Sequence, residues 1–420
     1  MRRQTWRWCI GLLLAAACLA QTANPTRVLT WQETEDIFRA NNPTLLAGKE
    51  TIDESRADEI TAFLRPNPDL TLGLDQLTLF HANPYRPLWQ SYAYASLSYL
   101  HERQHKRELR LASARQGTEI AVSAQSDLER TLLFNLRDAF NRVLLAKAVV
   151  TVAKENLAYF DKELSINGER FKAGTIAKVD FQRLGLQRVQ YESDLVTAEV
   201  DLRTAKIDLQ ALIRDRTPVE DFDIKEEFEY NEPTTNLADL EKIALSARPD
   251  LKEAQQSLEK ARTDHQLAIA NGSSDPTFGV DISWQPPPYN VYTGFSVTFP
   301  LRIFDRNQGD KQHTLIDVDR NRKLRDQAEI SVLHDVDSAY ATLESTMELL
   351  RPYKEQYLKQ AEEVRDTISF SYAHGAASLI DYLDAQKEYR DTRLNYLNLV
   401  GAYFSAANQV NLSVGREVIR

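Results

Sequence analysis

The chain is built from two similar halves, and a repeat of about 200 residues constrains the fold more than any local pattern. Matching segments are residues 31–45 and 237–251, 68–70 and 276–278, 96–99 and 296–299, and 174–180 and 375–381. Each half predicts the same succession of one helix, two strands and two long helices. The acidic stretch 214–235 is the expected join. The repeats are therefore assigned to residues 21–235 and 236–420.

Both halves predict unusually long helices. Apolar residues recur at alternating intervals of four and three from Leu132 to Leu164, which is the pattern of a coiled-coil seam. No Pro or Gly interrupts residues 118–167, and about 50 helical residues extend roughly 75 Å at ~1.5 Å per residue. An ordinary domain with a single core does not need helices of this length.

The second half has the same apolar spacing from residue 333 to residue 350. Pro352 follows, and it predicts a kink rather than an end, because the ring removes one helical hydrogen bond. Returning helices are expected at 178–213 and 379–412, after turns that contain Gly174 and Gly375.

A pair of strands in each half has one apolar face. Residues 278–284 and 295–299 alternate apolar and polar side chains with period two, and residues 70–79 and 93–99 do so less regularly. We expect five side chains to point outward and two serines, Ser283 and Ser296, to lie on the opposite face; the five are Leu72, Val280, Ile282, Val297 and Phe299.

Aromatic residues crowd the turn side of both strand pairs, as they do at a membrane interface. They are Trp89, Tyr92, Tyr94, Trp284, Tyr289 and Tyr292. A soluble four-stranded sheet packed on helices is the alternative that the pattern leaves open.

The first 20 residues predict export. Three arginines precede an apolar stretch, residues 9–20, that ends in small residues, which is typical of a secretory signal peptide. Cleavage is expected after Ala20, and cleavage before Cys18 with an attached lipid is the alternative. Cys9 and Cys18 are the only cysteines, so the rest of the chain can hold neither a disulfide nor a thiolate metal site.

Charge and motif context argue against two other functions, nucleic-acid binding and zinc-dependent proteolysis. The formal net charge is −10 and Lys and Arg form no dense block, so the chain is not expected to bind nucleic acid.

Residues 101–105 spell H-E-x-x-H, the pattern of zinc proteases. The pentapeptide falls at a strand-to-helix junction, however, and Arg103 and Lys106 stand where a metal-binding helix would be apolar. No metal, catalytic residue, cofactor or enzymatic activity is therefore expected.

These features together resemble the TolC family of outer-membrane channel proteins, over nearly the whole mature chain. The most specific segment is residues 372–385, where Tyr-Ala-His-Gly precedes Asp-Tyr-Leu-Asp-Ala by five residues, as at the second hairpin tip of the family. Residues 170–180 are the counterpart in the first repeat. The resemblance implies a mainly α fold with a membrane β-barrel. Three chains would each supply four strands and long coiled-coil hairpins to a 12-stranded barrel and a periplasmic helical tunnel.

Closure of a barrel independently favours assembly. Four strands leave open edges that lipid does not tolerate, and the smallest membrane barrels have about eight strands. Two chains would give eight strands and a filled interior, whereas three would give 12 and a lumen. A conduit therefore favours the trimer.

By this resemblance, the chain is a trimeric exit duct of a tripartite efflux pump in the outer membrane of a Gram-negative-type bacterium. It would carry small molecules or metal ions from the periplasm to the exterior. Its expected partners are two copies of itself, a periplasmic adaptor protein, an inner-membrane transporter and outer-membrane lipid. The alternatives are the exit duct of a type I secretion system and a periplasmic coiled-coil scaffold that never inserts.

The resemblance also assigns roles to residues at the hairpin tips. Asp381 and Asp384 share one helical face and match the aspartate pair that rings the periplasmic entrance. Asp180 and Tyr372 match a hydrogen-bonded pair that holds the entrance closed. Ala377 stands where some members carry a locking Arg, so how firmly the closed state is locked stays open.

The same resemblance assigns the adaptor-docking surface to the two hairpin tips. The residues concerned are Arg170, Gly174 and Gly375. The two glycines are also expected to give the turns a positive φ.

Overall fold

The computed structural model describes residues 27–77, 91–285 and 290–419, and the signal-peptide prediction, Trp89 and Tyr289 lie outside these ranges. The helices are α1 (Trp31–Asn41), α2 (Pro43–Phe63), α3 (Lys106–Lys172), α4 (Lys178–Ile213), α5 (Leu237–Ala247), α6 (Pro249–Asn271), α7 (Gln308–Pro352), α8 (Leu358–Ala373) and α9 (Leu379–Val414). The strands are β1 (Arg27–Leu29), β2 (Asp69–Asp75), β3 (Tyr92–Leu100), β4 (Phe222–Ile224), β5 (Thr277–Trp284) and β6 (Tyr292–Thr298). Among the described helices, none combines the length and the apolarity needed to cross a bilayer.

The described residues form two compact units, and each unit draws on both halves of the sequence. The tip unit comprises those within 1–42, 133–232 and 344–408, and the sheet unit comprises those within 43–132, 233–343 and 409–420. The order α1-α2-β2-β3-α3-α4 recurs as α5-α6-β5-β6-α7/α8-α9. The repeat boundaries themselves stay a prediction.

The long helices are confirmed, and α3 is longer than the uninterrupted stretch that the sequence predicted. Helix α3 has 67 residues, or about 100 Å at ~1.5 Å per residue. Leu136, Val143 and Phe160 of its predicted seam are buried. Helix α4 has the expected bounds, and α9 continues two residues beyond its predicted end.

Pro352 is the last α-helical residue of α7, but the chain stays helical beyond it. A π-helical turn at Tyr353–Tyr357 follows it and leads directly into α8. Because proline has no N–H and its ring crowds the preceding turn, one extra residue restores the hydrogen-bond ladder.

The sheet unit contains a four-stranded antiparallel sheet in the order β2-β3-β5-β6. Its register places the predicted apolar residues on one face: Leu72 lies opposite Ala95, which lies opposite Ile282. Leu72 is 72% exposed and Phe295 82% exposed. Within the described residues, the outer edges of β2 and β6 have no partner strand.

The polar face is less open than the sequence indicated. Ser283 is only 4% exposed and accepts a hydrogen bond from Gln285. A large side chain would therefore have no room at Ser283, although its position on the polar face suggests a site that tolerates one. Ser296 is exposed, as expected.

Most of the acidic join, residues 214–232, is part of the tip unit and not a loose linker. Its strand β4 pairs in parallel with β1, and Phe222 and Ile224 are fully buried. Downstream, the Tyr403 hydroxyl donates to the carbonyl oxygen of Asn231 at 2.7 Å. Sequence analysis missed both short strands, because three-residue strands carry too little alternation to detect.

The H-E-x-x-H pentapeptide lies outside any helix. Gln104 and His105 have φ values of 58° and 55°, and α3 begins only at Lys106. The two histidines therefore do not share a helical face, and Glu102 pairs with Arg110. Among the described residues, no group of His, Cys, Asp or Glu side chains is arranged to hold a metal ion.

Candidate functional site: the hairpin tips

Two equivalent turns close the helical hairpins of the tip unit. Gly174, between α3 and α4, has φ 76°, and its N–H donates to the Phe171 carbonyl at 3.0 Å. Gly375, between α8 and α9, has φ 75°, and its N–H donates to the Tyr372 carbonyl at 3.1 Å. A side chain at either position would be strained in this left-handed conformation, so both turns require glycine.

A stacked pair of aromatic rings brackets each turn, and sequence analysis did not anticipate it. Phe171 and Phe181 stack in the first hairpin with ring centroids 5.2 Å apart. Tyr372 and Tyr382 stack in the second at 4.9 Å. Each pair is ten residues apart with the turn glycine between them, a shared spacing that the sequence displays in both repeats.

The tyrosine pair joins the second hairpin to the first. Tyr382 is completely buried and Tyr372 is 7% exposed. They pack in one cluster with residues from both hairpins, whose other buried members are Phe160, Leu184, Tyr191 and Leu379. Ala377 packs against this cluster, so the position where some family members carry Arg has an apolar neighbourhood in this chain.

Asn167 is the polar centre of the cluster. It is 1% exposed, and its Oδ1 accepts a hydrogen bond from the Tyr372 hydroxyl at 3.2 Å. Its Nδ2 donates to the Glu163 carbonyl at 2.9 Å. The Arg170 guanidinium lies 5.2 Å from the centre of the Tyr372 ring and donates to Asn167 Oδ1 at 3.4 Å. The predicted docking residue Arg170 thus also takes part in the contact between the hairpins.

The predicted pair of Asp180 and Tyr372 is close but not bonded. Burial raises the pKa of Tyr372, the charge of Arg170 opposes this, and the charge of Asp180 adds to it. Within the described residues, no hydrogen bond joins the two side chains, since the Tyr372 hydroxyl bonds to Asn167. The Asp180–Tyr372 hydrogen bond therefore stays a prediction.

Glu163 lies beside the buried tyrosines. Burial raises its pKa, and the Tyr382 hydroxyl, Lys162 and Arg170 offset the rise only in part. Burial also raises the pKa of Tyr382. The Tyr382 hydroxyl makes no well-formed hydrogen bond among the described residues, so a partly buried carboxyl faces a poorly satisfied hydroxyl.

Asp381 and Asp384 are exposed on one face of the first turns of α9, opposite buried Tyr382. Asp381 Oδ2 accepts from the Ser378 hydroxyl at 2.7 Å, and the Asp381 N–H donates back to that hydroxyl oxygen at 3.2 Å. This capping box stabilises the start of the helix. The Ser378 side-chain and backbone hydrogen bonds lower the pKa of Asp381. The predicted shared face is present, and Asp381 carries its charge at neutral pH.

Comparisons with known proteins agree with this architecture. The model of the family "Outer membrane efflux protein" matches residues 240–416. The cobalt-zinc-cadmium resistance protein CzcC of Cupriavidus metallidurans is 23% identical, covering 92% of this chain and 90% of its own. The outer membrane protein TolC of Escherichia coli is 26% identical, covering 92% and 83%. The chain therefore resembles the outer membrane efflux proteins over most of its length, and their family model matches its second half.

Solved structures of outer-membrane channels share the fold. The channel protein CusC superposes with a TM-score of 0.77 at 18% identity, covering 92% of each chain. VceC of Vibrio cholerae superposes at 0.72 and 16% identity, covering 93% of this chain and 97% of its own.

Taken together, these similarities identify the chain as an outer-membrane efflux channel and not an enzyme. Channels of this family are trimeric and work with adaptor and inner-membrane pump partners.

Removal of the Asn167 side chain should weaken the contact between the hairpins. Asn167→Ala leaves the Tyr372 hydroxyl buried without its acceptor, which should cost about 1–3 kcal/mol. Tyr372→Phe removes the donor instead, and the double variant should cost less than the sum of the single variants. Thermal unfolding followed by circular dichroism checks this cycle. Strict additivity would show that the hydrogen bond contributes nothing.

Glu163→Gln should stabilise the tip unit at neutral pH. Because burial raises the folded-state pKa of Glu163 above its ordinary value of 4.5, the folded protein binds a proton between the two values and the ionised carboxylate opposes folding above them. The gain in melting temperature at pH 7 should therefore disappear as the pH falls to 4.5. Glu169→Gln, an exposed control, should change little at either pH. A gain that is independent of pH would contradict the titration.

Proposed function

We propose that three copies of this chain form the exit duct of a tripartite efflux pump, with a periplasmic entrance that favours cations. The observation that carries the proposal is the placement of Asp381 and Asp384. Both carboxylates are exposed on one face of α9, directly after the tip turn, while the opposite face is buried in the contact between the hairpins. They are therefore free to face a shared axis in an assembly.

The sheet supports a closed barrel made by several copies. An apolar face this exposed needs lipid or protein around it, and the two open edges need strand partners. Three copies supply 12 strands, enough to leave a lumen. The interior would be lined by the other face, which carries Thr71, Ser96 and Ser296.

The helices of the tip unit also support assembly. Helix α4 carries exposed apolar residues at coiled-coil spacing, namely Val179, Leu186, Val189, Val196, Val200 and Ile207. Its opposite face packs on α3 through Ala198 against Val150 and Ala153. Helix α4 thus has two apolar seams, one packed on α3 and one exposed. A helix that packs between two neighbours in a closed ring of helices needs both.

Threefold symmetry would place six carboxylates around the entrance. Repulsion among like charges at a narrow opening is relieved by bound cations, so the opening admits cations and raises the barrier to anions. The relative CzcC is named for resistance to cobalt, zinc and cadmium. We assign metal cations as the first cargo class to test.

The tips would receive the adaptor and hold the gate. An added Cβ at Gly174 or Gly375 would meet no atom within 4 Å, so both turns are free to contact another protein. We propose that the adaptor docks on them together with Arg170 and links the duct to the inner-membrane transporter. In the closed state, Tyr372 would hold the second hairpin against the first through Asn167, with Asp180 as its alternative partner.

Loss of both entrance carboxylates should reduce cation selectivity. For the double variant Asp381→Asn/Asp384→Asn in planar bilayers, we expect weaker preference for cations and weaker block by divalent metals, with the trimer retained. The charge-matched control Glu362→Gln/Glu363→Gln removes two exposed charges from α8 and should leave both properties unchanged. Wild-type selectivity in the first variant would place the pair on the outer face of the helix.

The barrel makes a second prediction, about the two faces of the sheet. Val280→Arg puts a charge on the apolar face and should cost about 2–4 kcal/mol if the site lies near the bilayer midplane. Ser296→Arg, on the opposite face, should be tolerated. Folding titrations into lipid vesicles measure both. Equal costs would remove the case for a lipid-facing sheet.

A further inference from the structure

Two strand-to-helix junctions of the sheet unit meet within one chain. The segment after β3 (101–106) contacts the segment before β5 (268–276), and we call this the inner junction. The His101 N–H donates to the Pro276 carbonyl at 2.9 Å, and the Lys106 ammonium lies 2.6 Å from Asp275 Oδ2. Lys106 is only 4% exposed. The inner junction is therefore polar, and its hydrogen bonds and ion pair are formed within one chain.

The repeat contains a second, equivalent pair of segments that cannot meet in one chain. The segment after β6 (299–307) corresponds to 99–107, which contains residues 101–106, and the segment around the end of α2 (60–68) corresponds to 268–276. We call this pair the outer junction. The two segments follow or precede β6 and β2, which are the opposite edges of the sheet.

Both halves of the outer junction nevertheless lie at the same end of the sheet. The register aligns Asp69 with Ser98, Ser98 with Gly279, and Gly279 with Ser296. Strand β2 starts at Asp69, in the row of Ser296, and β6 ends two residues further on, at Thr298. If β6 of one copy pairs antiparallel with β2 of the next, the two segments come together as their counterparts do at the inner junction.

The two junctions differ in chemistry on both sides at once. At the inner junction the corresponding side chains are polar or small: His101, Arg103 and Gln104 on one side, and Ala268, Asn271 and Gly272 on the other. At the outer junction they are apolar and exposed: Leu301 (81%), Ile303 (60%) and Phe304 (89%) on one side, and Ile60 (69%), Phe63 (44%) and Leu64 (61%) on the other. Both outer patches are apolar where their inner counterparts are polar or small, so packing one patch against the other would remove apolar surface from water.

We propose that a second copy of this chain completes the outer junction, with residues 299–304 of one copy covering residues 60–64 of its neighbour. The inner pairing of Leu97 with Val280 and Ala95 with Ile282 then sets the register between copies. By the repeat, Val297 lies opposite Leu72 of the neighbour, and Phe295 lies opposite Leu74. Both pairs fall on the apolar face. This inference rests on the proposed ring of copies and adds its register and its apolar contact.

A membrane could also cover an apolar patch, but the position of these patches favours protein. They continue directly from the two strand edges that must pair, and burial of apolar area at a site where backbones already meet adds stability without further ordering. The neighbouring copy is the only surface that the repeat itself brings to both patches.

Cysteine pairs test the register. In a Cys18→Ser background, which leaves Cys9 of the predicted signal peptide as the other native cysteine, Leu72→Cys/Val297→Cys should form disulfides between copies on oxidation in native membranes. Directly opposed residues have Cα atoms about 4.5–5.5 Å apart, within the range of a disulfide. The matched control Leu72→Cys/Thr293→Cys lies on the same face but is displaced by four residues, or roughly 13 Å, and should not cross-link. Each single variant should also stay uncrosslinked.

The apolar patch has its own variant pair. Phe304→Asp should lower the temperature at which the assembled protein dissociates in detergent. Gln104→Asp, at the corresponding position of the inner junction, should not. Circular dichroism spectra that match the wild type would show that both variants fold.

The outcomes separate this inference from the proposed function. Conducting trimers in which only the Thr293 pair cross-links, or neither pair does, would overturn the register and leave the exit duct standing. Labelling of Phe304→Cys in the assembled protein by a lipid-borne maleimide would assign the patch to the membrane and overturn the apolar contact. A chain that never assembles would overturn both proposals.

Discussion

The requirement that backbone N–H and C=O groups be paired governs this molecule more than any single side-chain contact. A sheet of four strands leaves two edges, and neither edge is closed by the described chain. Water could satisfy such groups, but the exposed apolar face beside them belongs in lipid, where unpaired backbone groups are prohibitively costly. The remaining features of the sheet unit follow from this conflict: antiparallel register, one apolar face, and apolar segments where both edges leave the sheet.

The repeat places equivalent segments both inside the chain, where they contact each other, and at the sheet edges, where they stay exposed. Where the two halves meet within the chain, the contacts are polar and bonded, as between Lys106 and Asp275. Where the equivalent surfaces face outward, they are apolar. The same divergence separates the hairpins, since the tyrosine pair of the second is buried against the first while Phe171 and Phe181 of the first stay half-buried. Duplicated segments have thus diverged into internal contacts and exposed apolar surfaces, and we assign the latter to contacts between copies.

At the tips, the residues that stabilise the fold are also the residues to which we assign function. Tyr372 and Tyr382 hold the hairpins together, and Asp381 both caps α9 and presents a charge beside Asp384. A channel that opens at this end must break the contact between the hairpins. A modest bond such as that between Tyr372 and Asn167, with the poorly satisfied Tyr382 hydroxyl and Glu163 beside it, suits a contact that must be reversible.

The sequence by itself determined the repeat, the long helices, the strand pairs and the shared face of Asp381 and Asp384, because these depend on periods of 2, 3.5 and 3.6 residues that can be counted along the chain. It also indicated both turn glycines, through their place between long apolar periodicities. The hydrogen bond of Asn167 to Tyr372, the burial of Ser283 and the pairing of β1 with β4 were decided only in the tertiary structure. Each depends on which segments meet across many residues, and a polar residue such as Asn167 has the same appearance in a sequence whether it faces water or a buried tyrosine hydroxyl.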